Sequence, residues 1–251
     1  MRFSLHQFAA VFKVLDPAGK PYVLIGGQAV NYWAETFLPT EPTLAGWMPF
    51  TSEDIDFRGG RDDAVRIARQ LGLTVRFPHE FEMTALAGVI PFKIDDLPTN
   101  IEVVRAVPGV SANHIDAWAI SAQRDSRHIR VVDPISLLAC KCKLALTVSQ
   151  DDRRDVDHLR IMVICVRAFL RETLRGVEAG ALPVKGWLGA AERTLALAES
   201  ADGRKAARQF AIHWPDILPL AEIKSSASTR LRPFREKRLA PWLAKLTRPH
   251  H

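Results

Sequence analysis

Two aspartates, Asp54 and Asp56, stand one residue apart in the segment TSEDIDF, between apolar neighbours. In a strand, successive side chains point to opposite faces, so both carboxylates would share one face while Ile55 and Phe57 share the other. The apolar face suits a protein core, and paired carboxylates suit a cation. The alternative interpretation is an exposed strand edge that carries solvated acids, and the motif alone fits both.

A glycine pair, Gly26 and Gly27, closes the apolar run PYVLIGG and precedes the helical pattern QAVNYWAETFL. Glycines between a strand and a helix let backbone N–H groups approach a phosphate at the positive end of the helix. The same pair also fits a turn that needs glycine only for a positive φ.

A third acid would complete a cation site for phosphate chemistry, which needs two or three carboxylates converging on one spot. Glu102, in the segment TNIEVVRAV, has apolar neighbours on both sides, as expected for an acid on one face of a buried strand. Asp95 and Asp96 are the competing candidates, but they come just before Pro98, where a turn is favoured. We therefore predict Glu102 as the third ligand.

The elements that must hold these residues follow from apolar spacing and turn signals. We predict an opening helix capped by Ser4, a strand over PYVLIGG, a helix behind it, and a loop from Pro39 to Pro49 that leads into the strand EDIDF. A helix over RDDAVRIARQLG follows, and the next strand candidates are LTVRF, AGVIPFKI and NIEVVRAV. From Asp133 the pattern is helical, through DPISLLACKCKLAL and RRDVDHLRIMVICVRAFLRETL.

This order of elements predicts an α/β (α+β) fold class. A small mixed-sheet domain is expected over residues 1–130, and a helical domain over residues 131–251.

The composition is that of a soluble globular protein, with 47% hydrophobic and 25% charged residues among 251. There is no run of about eighteen apolar residues that could span a membrane, so we expect a cytoplasmic protein without membrane contact. Cys140, Cys142 and Cys165 are too few for a zinc quartet and are expected to be reduced. The histidines lack metal-ligand spacing and are predicted to lie at the surface or at helix caps: His79, His114, His128, His158 and His213.

The net charge of +6 is concentrated at the end of the chain. Residues 201–251 contain eleven Lys or Arg and four Asp or Glu, whereas residues 1–200 contain 23 and 24. Such a basic region, which includes TRLRPFREKRLAPWLAKLTR, attracts phosphate backbones. A solvated, salt-bridged helix face is the alternative.

In combination, LIGGQAV and TSEDIDF resemble the polymerase-β-like nucleotidyltransferase superfamily. Its pattern is a strand, a glycine turn, a helix, Asp-x-Asp on the next strand and a later third acid. The segments DPISLLACKCKLAL and RRDVDHL add a similarity to the AbiEii abortive-infection branch of nucleotidyltransferase toxins.

The resemblance implies a role for residues in four segments. Gly26, Gly27 and Ser52 would lie near the nucleotide phosphates. Magnesium would be held by Asp54, Asp56 and Glu102. Lys141, with Lys143 as an alternative, would neutralise developing charge at the edge of the cleft, and Asp155 would lie beside it.

The function that follows is Mg²⁺-dependent transfer of a nucleoside monophosphate from an NTP to an acceptor hydroxyl, with two metal ions. The acceptor would be RNA, for example a tRNA end reached through the basic C-terminal region, or a protein. A toxin of this kind would have an antitoxin partner. The alternatives are a catalytically idle nucleotidyltransferase-like binding module and a small-molecule enzyme with an aminoglycoside-type acceptor.

Overall fold

A computed structural model describes residues 1–15, 22–124 and 127–246. The chain divides into two compact units, Met1–Met162 and Val163–His251. The helix that was predicted to open the second domain, which begins at Pro134, belongs to the first of these units. The division into domains of residues 1–130 and 131–251 stays a prediction.

The first unit is built on one mixed sheet. Its strands are β1 (Val23–Ile25), β2 (Ile55–Arg58), β3 (Leu86–Ile94), β4 (Leu97–Val104), β5 (Ile120–Arg124) and β6 (Arg127–Val131). They lie in the order β3-β4-β2-β1-β6-β5. The pairs β1–β6 and β2–β4 are parallel, and the other neighbours are antiparallel. The predicted α/β class with a mixed sheet is confirmed.

Six helices accompany this sheet in the described ranges: α1 (Ala9–Leu15), α2 (Gly26–Phe37), α3 (Arg61–Leu71), α4 (Ala112–Trp118), α5 (Pro134–Thr147) and α6 (Asp155–Glu178). Asp133 caps α5 as predicted, because its Oδ1 accepts from the N–H groups of Ile135 and Ser136 at 3.2 Å. Pro134 occupies the first helical position, where its missing N–H costs nothing. These local signals explain why α5 begins where the sequence predicts.

Two predictions about the first unit need correction, and some of its elements were not predicted. LTVRF is not a strand in the described structure: only Arg76 pairs with Val89, and Pro78 has no N–H to extend the pairing. The predicted loop from Pro39 to Pro49 contains a 3-10 helix, Pro42–Trp47. The α4 helix and the β5–β6 hairpin were not predicted.

The apolar face of β2 lies in the core as predicted, with Ile55 at 0% and Phe57 at 2% exposure. Its neighbours Leu24, Ile101 and Val103 are also buried. The sheet therefore fixes β2 from both sides, and Asp56 projects from its other face.

The second unit is helical. After the last turns of α6 it contains α7 (Val184–Glu199), α8 (Ala201–Phe210), α9 (Leu220–Ser225), α10 (Arg232–Phe234) and α11 (Ala240–Leu246). Trp187 and Trp214 anchor these helices, since their buried indole N–H groups donate to the carbonyls of Leu170 and Gly203 at 2.9 Å. Within the described part of the chain, no helix is long and apolar enough to cross a membrane.

Candidate metal centre and its cavity

Strand register brings the three predicted acids together. Asp56 lies beside Glu102 in the parallel β2–β4 pair. Asp54 was predicted to share the strand face of Asp56, but it lies in the bend that leads into β2. Their carboxylate oxygens lie within 4.8 Å of one another. Three converging carboxylates at this spacing offer a set of oxygen ligands that suits a divalent cation.

The glycine pair allows the carboxylate of Asp56 to lie close to the backbone at the start of α2. Gly26 has a φ of +68°, and a Cβ atom there would lie 1.8 Å from Asp56 Oδ2. The backbone N–H of Gly27 also donates to the Asp56 carboxylate. Only glycine at position 26 fits both this conformation and this approach.

Ser52 links the glycine turn to the acids. Its Oγ donates to Asp54 Oδ1 at 3.3 Å. A Cβ atom on Gly27 would lie 2.3 Å from the same Oγ, so the second glycine is needed for the close approach of Ser52. The predicted residues Gly26, Gly27 and Ser52 therefore form one wall beside the acids.

Crowding and burial raise the pKa of all three acids. Burial, followed by the charges of Asp54 and Glu102, raises the pKa of Asp56 well above its ordinary value. Burial is also the largest cause of the raised pKa of Asp54. Burial and the charge of Asp54 raise the pKa of Glu102 to about 7. The folded chain therefore disfavours the ionised form of these acids unless a cation offsets their charge.

Lys141 and Asp155 form a buried ion pair, with Lys141 Nζ donating to Asp155 Oδ1 at 2.9 Å. Arg153 Nε donates to the other oxygen of Asp155 at 2.6 Å. Burial alone would raise the pKa of Asp155, but the charges of Lys141 and Arg153 outweigh it and lower the pKa. Asp155 therefore stays ionised and orients both cations.

A cavity of about 330 Å³ opens over these groups in the first unit. Six acidic and four basic side chains line it, so its net charge is negative without a bound cation. It is lined by all eight predicted site residues, which are Gly26, Gly27, Ser52, Asp54, Asp56, Glu102, Lys141 and Asp155. Lys143, the alternative to Lys141, is not among the residues that line this cavity.

The competing acids Asp95 and Asp96 lie elsewhere, in the turn between β3 and β4. Both have positive φ, 48° and 64°, and both are exposed. They are absent from the lining of the cavity. Glu102, and not this pair, lies with Asp54 and Asp56.

Sequence reasoning missed two residues on the wall of the cavity. His158 was predicted to lie at the surface or at a cap, but it is 7% exposed and lines the cavity. Arg2 also lines the cavity. The only sequence signal for His158 was its spacing from Asp155, which places both side chains on one face of α6.

No protein-family model matches the sequence, and no curated protein matches it. The fold is similar to two solved structures. One is an antigenic nucleotidyltransferase-like protein from Paracoccidioides brasiliensis, with a TM-score of 0.41 and 12% identity over 65% of this chain and 78% of that chain. The other is the antibiotic-resistance factor ANT(2'')-Ia, with a TM-score of 0.42 and 16% identity over 70% of this chain and 91% of that chain. These values are too low to carry a functional argument.

Proposed function

We propose that the chain is a Mg²⁺-dependent nucleotidyltransferase. An acceptor hydroxyl oxygen forms a bond to the α-phosphorus of an NTP, and the bond from that phosphorus to the bridging oxygen of the β-phosphate breaks. The hydroxyl proton is released to solvent, and pyrophosphate leaves. The observation that carries this proposal is the convergence of Asp54, Asp56 and Glu102 in a cavity that also holds Lys141 and Arg153.

The donor set fits magnesium. All three groups are carboxylates, which are hard oxygen ligands, and neither histidine nor cysteine belongs to the cluster in the described residues. Their raised pKa values are the expected sign of a cluster that is short of positive charge. When bound there, Mg²⁺ would polarise the phosphate oxygens and lower the pKa of the attacking hydroxyl.

The protein groups would each have a separate task. Asp54 and Asp56 would hold both metal ions, and Glu102 would bind the one next to the acceptor hydroxyl. Lys141, oriented by Asp155, would neutralise the charge that develops on the phosphate oxygens during transfer. Gly26, Gly27 and Ser52 would border the phosphates without blocking their approach.

The finer parts of the proposal concern the biological setting. We further propose that the protein belongs to the AbiEii toxin branch and is located in the cytoplasm. Its acceptor would be RNA, such as a tRNA end, and its partner would be an antitoxin. A protein acceptor and an aminoglycoside-type acceptor use the same chemistry, so the site geometry is common to all three. The acceptor experiment below distinguishes among them.

The test is incubation with each α-labelled NTP and Mg²⁺, together with total RNA, a protein extract or an aminoglycoside mixture. We expect label on one acceptor class and its loss in Asp56→Asn. Asp95→Asn is the matched control, because it makes the same substitution at an exposed turn residue where asparagine tolerates the positive φ. Equal labelling by wild type and Asp56→Asn would overturn the metal-site assignment. No labelling of any acceptor, with NTP binding retained, would favour the idle module.

A further inference from the structure

The cavity has a second polar wall. The proposed transfer step assigns no role to two residues of this wall. Arg2 and His158 lie on it together with Gly27 and Ser52. A Cβ atom on Gly27 would lie 2.3 Å from Ser52 Oγ and 3.5 Å from His158 Cε1. Ser52 and His158 therefore surround the first turn of α2, whose backbone N–H groups favour negative charge.

Backbone pairing places Arg2 at this wall. The N–H of Phe3 donates to the carbonyl of Ser52 at 2.7 Å, and the N–H of Ser52 donates to the carbonyl of Phe3 at 2.9 Å. The fully buried Gln28, in α2, also donates to the Phe3 carbonyl at 3.0 Å. Because the Phe3 side chain is only 1% exposed, residue 2 is fixed relative to both the glycine turn and the acids.

The guanidinium of Arg2 remains able to bind a ligand. Its Nε lies 3.4 Å from Glu53 Oε1, and the two side chains are 34% and 60% exposed. Such an exposed ion pair is weak and easily exchanged. A guanidinium has five N–H donors in a planar fork that matches two phosphate oxygens.

His158 provides the second observation that points to a ligand. Its ring is 7% exposed. Among the described residues its buried Nδ1 has no hydrogen-bond partner. Buried polar atoms are nearly always paired in native proteins, so an orphaned one beside a cavity indicates a missing partner.

The order of contacts along the wall indicates which part of a nucleotide would lie there. Asp56 lies closest to Gly26, whereas Ser52 and His158 lie closest to Gly27, the next residue of the turn. If the α-phosphorus lies at the acids, the next phosphates extend along this wall toward Arg2.

We propose that Arg2 and His158 bind the two phosphate groups that leave as pyrophosphate, and that they make the site select triphosphate donors over monophosphates. This inference rests on the proposed function, because it places the α-phosphate at the acid cluster. Both residues act on the donor and neither contacts the acceptor hydroxyl.

The test is calorimetric titration of the full chain in Mg²⁺ with the NTP that binds most tightly, its monophosphate and inorganic pyrophosphate. We expect Arg2→Ala to weaken NTP and pyrophosphate binding about tenfold, the worth of one charged hydrogen bond. Monophosphate affinity should not change. Arg2→Lys should recover part of the loss, and His158→Gln should weaken the same two ligands. Arg69→Ala, an exposed arginine on α3 outside the cavity lining, is the matched control.

The outcomes separate this inference from the proposed function. If the wild type binds no NTP in Mg²⁺, or Asp56→Asn binds it equally well, the proposed function fails and the inference falls with it. If Asp56→Asn loses binding but Arg2→Ala and His158→Gln keep the wild-type preference for NTP, only the inference is overturned. An equal loss of monophosphate binding in Arg2→Ala would show that Arg2 acts by holding the Phe3–Ser52 pairing, which also overturns it.

Discussion

Glu102 belongs to a cluster of three like charges, and its titration should make the stability of the protein depend on pH. Its pKa in the folded chain is about 7, above the ordinary value of 4.5. A raised pKa contributes stability that is fully present below pH 4.5 and is lost as the pH rises through 7. The metal-free protein should therefore become less stable between these two values.

Glu102→Gln removes this titration. In EDTA we expect the variant to be more stable than the wild type by about 1 kcal/mol at pH 8, a value reduced for partial solvent exposure, and equally stable near pH 4.5. Urea unfolding across this pH range measures the difference. In Mg²⁺ the order at pH 8 should reverse, because only the wild type keeps all three ligands. A pH-independent difference in EDTA would contradict the crowding argument.

Gly26 lies where a side chain would collide with Asp56. Gly26→Ala places a Cβ atom 1.8 Å from Asp56 Oδ2 at a φ of +68°. The left-handed conformation alone costs an L-residue about 1–2 kcal/mol, and the clash displaces Asp56, a proposed metal ligand. We expect a lower melting temperature and no Mg²⁺-dependent rise.

Gly46→Ala is the control for this variant, since nothing lies within 4 Å of its added Cβ. It should retain both the wild-type melting temperature and the response to Mg²⁺. A Gly26→Ala protein with a normal Mg²⁺ response would show that Asp56 is not held by the turn.

Single residues were predictable where strand alternation exposes them. Asp56 and Glu102 each have apolar neighbours on both sides, so their faces could be assigned without a structure. Asp54 lies in the bend before β2, where alternation does not place it. Arg2 and His158 could not be assigned in this way. Arg2 reaches the cavity through a backbone bridge between residues 3 and 52, which no local pattern encodes. His158 has the spacing of an ordinary helix residue.

At the scale of elements, the Lys141–Asp155 pair joins α5 to the start of α6. Both side chains are buried, at 4% and 2% exposure. Removing one partner of a buried pair leaves the other charge without compensation, which costs about 3–5 kcal/mol. Asp155→Asn should therefore destabilise the protein by about 3 kcal/mol in urea unfolding at pH 7.

The double variant Lys141→Met/Asp155→Asn should recover part of that stability, since neither member of the pair remains as a buried charge without the other. It should not recover nucleotidyl transfer, because Lys141 lines the cavity. Lys143→Met, two residues away in α5 and outside the cavity lining, controls for the loss of a lysine. Equal stability of Asp155→Asn and Lys143→Met would contradict a structural role for the pair.

Elements were predictable where their boundaries carry local chemistry. The Asp133 cap with Pro134 fixes the start of α5, and the glycine pair fixes the end of β1. The β5–β6 hairpin lacks such signals. Its strands are stabilised by pairing with each other and with β1, which sequence spacing does not show. LTVRF has strand-like composition but makes only an isolated bridge.

In the whole molecule, the excess of Lys and Arg over Asp and Glu lies after residue 200. Some of these cations are held in contacts within the protein, and others are available to bind phosphate. Arg238 contacts Glu192 and Glu199 at 2.7–3.0 Å and is only half-buried. Arg235 donates to the carbonyls of Lys224 and Ser226. The solvated, salt-bridged alternative therefore accounts for part of this region, and formal charge overstates what it offers to phosphate.

Several cations after residue 200 are exposed and have no ion pair among the described residues, and Arg230, Lys237 and Lys245 are those in the segment TRLRPFREKRLAPWLAKLTR. If RNA is the acceptor, Arg230→Ala/Lys237→Ala should weaken RNA binding and reduce the slope of log K against log salt by about 1.4, about 0.7 for each single-strand phosphate contact. Arg238→Ala should lower the melting temperature and leave that slope unchanged, because Arg238 is already ion-paired with two glutamates. Filter binding at several salt concentrations measures both variants. If RNA binding by the wild type does not depend on salt, RNA is excluded as the acceptor. The acceptor would then be a protein or a small molecule.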